Sequence, residues 1–197
     1  MMGAEFRFAQ RGDVTALAAV MSAAFQDDPV SSWLFPDPQE RPARHASMFR
    51  AFIRQALRTG EADTTTELDA VALWLDLEGD EPDILSGRFG DELTLACGSD
   101  FPRFFVLASA MNASHPGVPH AYLPFVAVSP QAQGNGLGTA LLSRKLAALD
   151  NVGRPAYLEA SNECSIPLYK RLGFQPSRRI DLVTGPPLWP MWRDPQP

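Results

Sequence analysis

From Pro130 to Thr139 the chain reads Pro-Gln-Ala-Gln-Gly-Asn-Gly-Leu-Gly-Thr, with glycine at every second position from 134 to 138. Glycine has no Cβ, so such a turn reaches positive φ and lets a ligand approach its N–H groups closely. Leu137, Leu141, Leu142, Leu146 and Leu149 follow at helical spacing, which places the glycines at the start of a helix. The leading amides of that helix and its dipole favour an anion, a phosphate above all. Before the turn, His120 to Val128 is rich in β-branched and aromatic residues and predicts a strand. Pro124 cannot donate to a sheet ladder, so it marks a bulge or an interruption there. A strand that parts from its neighbour exposes unpaired N–H and C=O groups, here at Phe125, Val126 and Val128.

Other residues with chemical potential lie outside this unit. Asp27, Asp28, Trp33 and Phe35 combine acids that can receive an ammonium group with aromatics that can stack on a flat substrate or contact a cation. The same residues also suit a turn with its aromatics packed beneath it. Glu159 shares a strand face with Tyr157 and Ser161 by period-2 alternation, and His120 opens the proline-bearing strand. Each of the two is either a proton acceptor or a hydrogen-bonded strand residue. Cys97 and Cys164 belong to no Cys-x-x-Cys or Cys/His cluster, so neither a disulfide framework nor a metal site is expected. Trp189 and Trp192 read as core or dimer-interface residues.

These residues require a mixed α/β scaffold to hold them. Glu5 to Ala9 predicts a short strand, and Asp13 to Phe25 a helix capped by Asp13. Asp27 to Pro38 predicts an irregular loop, and Arg41 to Thr59 an amphipathic helix ended by Gly60. Glu61 to Leu77 predicts a hairpin turning near Leu68 to Ala70. Weaker helical patterns run from Glu81 to Cys97 and from Asp100 to Met111. After the motif come a strand from Pro155 to Ser161 and a short helix from Cys164 to Leu172, with Gly173 as its left-handed cap. Phe174 to Val183 and Leu188 to Arg193 predict two closing strands. No linker divides the 197 residues, which form one domain.

Composition narrows the function. The chain is 45% hydrophobic and 20% charged, as soluble globular proteins are. A formal charge of -6, without a concentrated basic face, argues against nucleic-acid binding and suits a cationic substrate. No segment has the length and apolarity of a membrane span, and Met1 to Phe8 lacks the pattern of a signal peptide, so a cytoplasmic protein is expected.

Gln133-Gly134-Asn135-Gly136-Leu137-Gly138 matches Q/R-x-x-G-x-G/A. Asn162 to Phe174, Asn-Glu-Cys-Ser-Ile-Pro-Leu-Tyr-Lys-Arg-Leu-Gly-Phe, matches N-x-x-A-I-x-L-Y-x-x-x-G-F, with Ser165 in place of alanine. On these two motifs the chain resembles the GCN5-related N-acetyltransferase (GNAT) superfamily from about His120 to Phe174. The early Asp-Asp-Pro-Val-Ser-Ser-Trp-Leu-Phe-Pro and the closing Gly-Pro-Pro-Leu-Trp-Pro-Met-Trp-Arg are similar to its puromycin N-acetyltransferase-like branch.

The resemblance implies one domain with a mixed, mostly antiparallel sheet, a bulged strand and flanking helices. Acceptor-side elements would fill about 1–115, an acetyl-CoA-binding core about 119–174, and C-terminal strands 174–193. The activity implied is acetyl transfer from acetyl-CoA to a small-molecule amine, without a metal, in a monomer or homodimer. The amides of Gln133, Gly134, Asn135, Gly136, Gly138 and Thr139 would hold the CoA pyrophosphate. The pantetheine would run along Phe125, Val126 and Val128, with the Phe125 or Val126 N–H polarising the thioester carbonyl. Asn162 would fix the cofactor arm or cap the following helix. Tyr169 would protonate the departing thiolate. Glu159 or His120 would accept the amine's proton, and Asp27, Asp28, Trp33 and Phe35 would wall the acceptor site. A catalytically silent acyl-CoA sensor on the same fold is one alternative. A Rossmann-type dinucleotide enzyme is another, although Thr139 stands where its third glycine belongs and too little chain follows for a second nucleotide-binding half.

Overall fold

In the computed structural model residues 4–79 and 84–197 are described. The strands are β1 (Phe6–Phe8), β2 (Gly60–Thr65), β3 (Ala70–Leu77), β4 (His120–Val128), β5 (Ala156–Ala160), β6 (Gln175–Pro176) and β7 (Trp189–Arg193). They form one sheet in the order β1-β2-β3-β4-β5-β7-β6. Every neighbouring pair is antiparallel except β4 with β5. A Rossmann-type fold needs a parallel sheet, so that alternative falls. Seven α-helices are described: α1 (Val14–Ala24), α2 (Pro29–Leu34), α3 (Arg41–Thr59), α4 (Gly87–Cys97), α5 (Phe101–Asn112), α6 (Leu137–Asn151) and α7 (Ile166–Arg171).

Alternation along the strands sorts the core into two layers. Val71 and Leu73 of β3 pack with Leu17, Met21, Phe49, Ile53 and Leu93 from α1, α3 and α4. Ala70, Ala72 and Trp74 face the other way, onto Leu141, Leu142 and Leu146 of α6 and Tyr169 of α7. In β5, Ala156, Leu158 and Ala160 join this second layer. Tyr157 and Glu159 must therefore point to the first side of the sheet.

Pro124 acts on β4 as its chemistry requires. Leu73 pairs with Phe125 and Leu75 with Tyr122, so Leu123 and Pro124 together stand opposite Trp74. This is a β-bulge, and its extra residue reverses the alternation. Ala121 and Leu123 face α6 before the bulge, whereas Val126 and Val128 do so after it. Phe125 and Ala127 consequently turn to the opposite layer.

Several local expectations need correction. Asp13 occupies the N-cap position of α1, but its side chain makes no capping hydrogen bond to that helix. Its carboxylate accepts the Gln10 N–H at 2.8 Å and pairs with Arg7 at 2.7 Å, closing a 3₁₀ turn over Arg11–Asp13 that precedes the helix. The expected loop from Asp27 to Pro38 contains α2, because Asp28-Pro29 supplies an N-cap followed by a proline with helical φ. Phe174 to Val183 is not a full strand. Only Gln175–Pro176 pairs regularly, with one isolated bridge between Ile180 and Leu188. Of the helix expected from Glu81, residues 81–83 lie outside the described ones, and the described helix starts at Gly87.

His45 of α3 is fully buried between Phe35 and Phe49. Gln26 Nε2 lies 3.0 Å from its Nδ1, and its Nε2 has no partner. Burial lowers its pKa from 6.5 to about 4. The unfolded chain therefore takes up a proton at His45 near pH 6.5 that the folded chain refuses until about pH 4. Stability should fall as pH drops through that window, by up to about 3 kcal/mol from this residue. Chemical denaturation of His45→Leu across pH 4 to 7 should show a shallower acid loss than the parent chain, about one proton less in slope.

Candidate active site

The glycine turn forms as its composition requires. A 3₁₀ turn over Pro130–Ala132 leads to Gly134 and Gly136, each at φ +79°, and α6 begins at Leu137. A Cβ at 134 or 136 would meet nothing within 4 Å, so the concave side of the turn is open. Ala140 N–H bonds to Gly136 C=O at 3.0 Å, which leaves the preceding amides of α6 unspent. A Cβ at Gly138 would lie 3.5 Å from Val128 Cγ2, an ordinary contact where the helix crosses the end of β4. Asn135 Nδ2 donates to Ala132 C=O, and Gln133 Nε2 donates to Val128 C=O at 3.1 Å. Gln133 thus pins the turn to the strand, and the Val128 carbonyl already carries a hydrogen bond. Open glycines at left-handed φ beside free helix amides fit a diphosphate such as that of CoA.

Beside the turn the sheet opens. β4 pairs with β5 only at Ala121 with Ala156 and Tyr122 with Tyr157. From the bulge onward β4 keeps β3 but has lost β5. A slot bordered by Pro124 to Val128 on one strand and Leu158 to Ser161 on the other belongs to a cavity of about 870 Å3. Gln133, Gly134, Gly138, Asn162 and Tyr169 also line it. Tyr169 projects from α7 with 8% exposure, and burial pushes its phenol up to about 12 against an opposing hydrogen bond with Ser165. It stays protonated throughout the neutral range. Asn162 Oδ1 accepts the Cys164 N–H at 2.9 Å, capping the 3₁₀ turn that precedes α7.

The same cavity extends under α2, α3, α4 and α5, where Phe52, Phe89, Phe104, Leu107 and Met111 make an apolar wall. Asp27 is exposed on its lining. Asp28 also lines it, but its oxygens are committed: Oδ1 accepts from Val30 and Ser31 N–H at 3.0 Å each, and Oδ2 from Ser161 Oγ at 2.6 Å. It caps α2 and ties that helix to the end of β5. Phe35 and Trp33 do not line the cavity. Phe35 is 1% exposed in the core beside His45, and Trp33 packs against Leu182 and Gly185 of the C-terminal loop. Their apolar rings gain more from these contacts than from a solvated site.

Glu159 has an unusual environment. Its side chain is 1% exposed, and the phenols of Tyr122 and Tyr157 are the hydroxyls directed at its carboxylate. His115 Nδ1 lies 3.7 Å from Glu159 Oε1, and His115 Nε2 lies 3.1 Å from His120 Nε2. His120 is fully buried and does not line the cavity, so it is not placed to meet an amine directly. Burial also lowers its pKa. The phenols of Tyr122 and Tyr157 are raised first by burial and then by the Glu159 charge. His115 was not foreseen. It sits in the segment between α5 and β4, where no periodicity points to a partner, and only the fold brings it to β5.

Residues 23–174 match the family model described as acetyltransferase (GNAT) family. The chain belongs to that family. A mycothiol acetyltransferase of Pseudarthrobacter chlorophenolicus is 38% identical over 78 residues, covering 38% of this chain and only 23% of that protein. A structure of Corynebacterium glutamicum, described as histone acetyltransferase HPA2 and related acetyltransferase, superposes with a TM-score of 0.72 at 28% identity, covering 100% of this chain and 98% of the other. A GNAT acetyltransferase of Brucella melitensis, solved in complex with acetyl-CoA, shares the fold with a TM-score of 0.53 at 16% identity, covering 100% of this chain and 91% of that one. Members of the family use acetyl-CoA.

A side chain at position 136 is excluded by backbone conformation and not by crowding. Gly136→Ala should therefore cost about 1–2 kcal/mol of folding stability from left-handed strain and weaken CoA binding. Thermal unfolding and calorimetric titration with CoA measure the two effects separately, and Gly12→Ala, where φ is ordinary and the space also open, should change neither.

Proposed function

We propose that the chain transfers the acetyl group of acetyl-CoA to a small-molecule amine by direct attack. The observation that carries this reading is that the slot left where β4 parts from β5 runs from the open glycine turn to Tyr169 and Glu159. Gly134 to Thr139 would bind the CoA diphosphate, and the free edge of β4 from Pro124 to Val126 would take the pantetheine amides as an added strand would. Acetyl-CoA supplies an activated acetyl thioester. The Phe125 or Val126 N–H then polarises the carbonyl oxygen.

The remaining residues handle protons. An alkylammonium near pKa 10 must lose one before its nitrogen can attack, and Glu159 is the cavity-lining carboxylate that no backbone N–H or ion pair with Lys or Arg holds. Its burial at the cavity wall means that one water spans from amine to carboxylate. As the new C–N bond forms and the C–S bond breaks, Tyr169 gives its proton to sulfur. The second proton lost by nitrogen restores the phenol through solvent, and the one held at Glu159 is released. The net products are an amide, CoA thiol and one proton.

The acceptor end suggests the body of the substrate. Phe52, Phe89, Phe104, Leu107 and Met111 offer apolar contact, and exposed Asp27 with the overall negative charge attracts a cation. An amine on an aromatic or aliphatic frame fits this wall better than a polyhydroxylated one.

A panel of amines incubated with the enzyme and acetyl-CoA, followed by mass spectrometry, should yield a product heavier by one acetyl group. Tight CoA binding with no acetylated amine would favour a silent sensor instead. Tyr169→Phe should bind CoA as the parent does and lose on the order of 10²-fold in kcat. Unchanged kcat would remove Tyr169 from the reaction.

A further inference from the structure

Glu159, His115 and His120 form a buried row whose hydrogen positions are fixed by its far end. His120 Nδ1 lies 2.7 Å from the Val118 carbonyl oxygen. A carbonyl oxygen only accepts, so Nδ1 of His120 carries the hydrogen. Neutral His120, fully buried, then presents a bare Nε2 to His115 Nε2 at 3.1 Å. That contact requires the hydrogen of neutral His115 to be on Nε2, which leaves its Nδ1 bare. Nδ1 is the atom that faces Glu159 Oε1 at 3.7 Å.

Two bare acceptors thus confront each other inside the protein. The phenols of Tyr122 and Tyr157 can donate to Glu159, but no donor lies between Oε1 and the lone pair of His115 Nδ1, an arrangement that a buried carboxylate should avoid. A single added proton resolves it by bridging Oε1 and Nδ1. We infer that Glu159 and His115 together are the proton acceptor of the transfer reaction, with His120 as the positioning residue that holds His115 in the Nε2–H tautomer. The inference rests on the amine-acetylating reading above and adds His115 and His120 to it.

The balance is simple. The ammonium N–H bond breaks, its electron pair stays on nitrogen for attack, and the proton passes to the pair through the bridging water. No oxidant or further reactant takes part. After the C–S bond breaks, the pair returns the proton to solvent. The groups facing this row are Tyr122 from β4, Tyr157 from β5, and Arg154, whose charge acts on His120. The two phenols stay neutral, so the proton count of the row changes at Glu159 and the imidazoles. Trp192 from β7 covers His120 with its ring centroid 5.7 Å away and contributes no titrating group.

Long-range ¹H–¹⁵N correlation spectra of the histidine rings test the tautomers without any substrate. His120 should appear as the Nδ1–H form and His115 as the Nε2–H form. His115 as the Nδ1–H neutral form would overturn the inference. Kinetics test the role: His115→Leu and Glu159→Gln should each lower kcat/KM on the order of 10²-fold, and the double variant no further. His120→Leu should shift the acid limb of the kcat/KM profile and lower the plateau about 10-fold. His120→Gln, whose Oε1 can accept from His115, should restore both. If amines are acetylated and the His115 and Glu159 variants keep the parent profile, the proton pair is wrong while the acetyltransferase reading stands. If no amine is acetylated, the underlying reading itself fails.

Discussion

β4 cannot stay bonded to both neighbours along its whole length, and the site depends on that limit. Pro124 has no N–H to donate, and the bulge that accommodates it sits where pairing with β5 ends. The extra residue also reverses which side chains face α6, so Val126 and Val128 pack toward that helix while Phe125 enters the opposite core layer. A single ring closure in one side chain thus produces a slot and re-aims its wall. The strand edge left free can satisfy its backbone groups with a ligand that carries amides of its own.

Two buried carboxylates that line the cavity show how environment decides the partners of a charge. Asp28 receives two backbone N–H groups that cap α2 and a serine hydroxyl that ties the helix to the end of β5. It is spent on structure. Glu159, two residues before Ser161, has no backbone N–H on its carboxylate and faces a histidine and two phenols. A buried acceptor left without donors costs free energy unless a proton or cation completes it.

Much of this was legible in the chain itself. The alternating glycines, the leucine spacing after them and Pro124 each carry their physical reason locally, so the turn, α6 and the bulge could be read from residues 120 to 149 alone. The Asn162 to Phe174 pattern led to the family. The acceptor side was less legible because its walls come from α2 to α5 and meet only in the fold. Asp-Pro read as a loop there, although the same pair is a helix start when the next residues turn helically. Trp33 and Phe35 looked like substrate contacts by chemistry, and burial gave them other partners. His115 carried no local signal, since a lone histidine between helix and strand gains meaning only from Glu159 and His120 across the sheet.

The central claim is that the gap between β4 and β5 carries the acyl donor to Tyr169. A crystal structure with acetyl-CoA bound tests it most directly. The account predicts the diphosphate on the Gly134 to Thr139 amides, pantetheine amides bonded to the β4 edge between Pro124 and Val128, and sulfur within hydrogen-bond reach of the Tyr169 hydroxyl. A bound acetyl-CoA whose pantetheine runs outside this gap, with its sulfur remote from Tyr169, would contradict it.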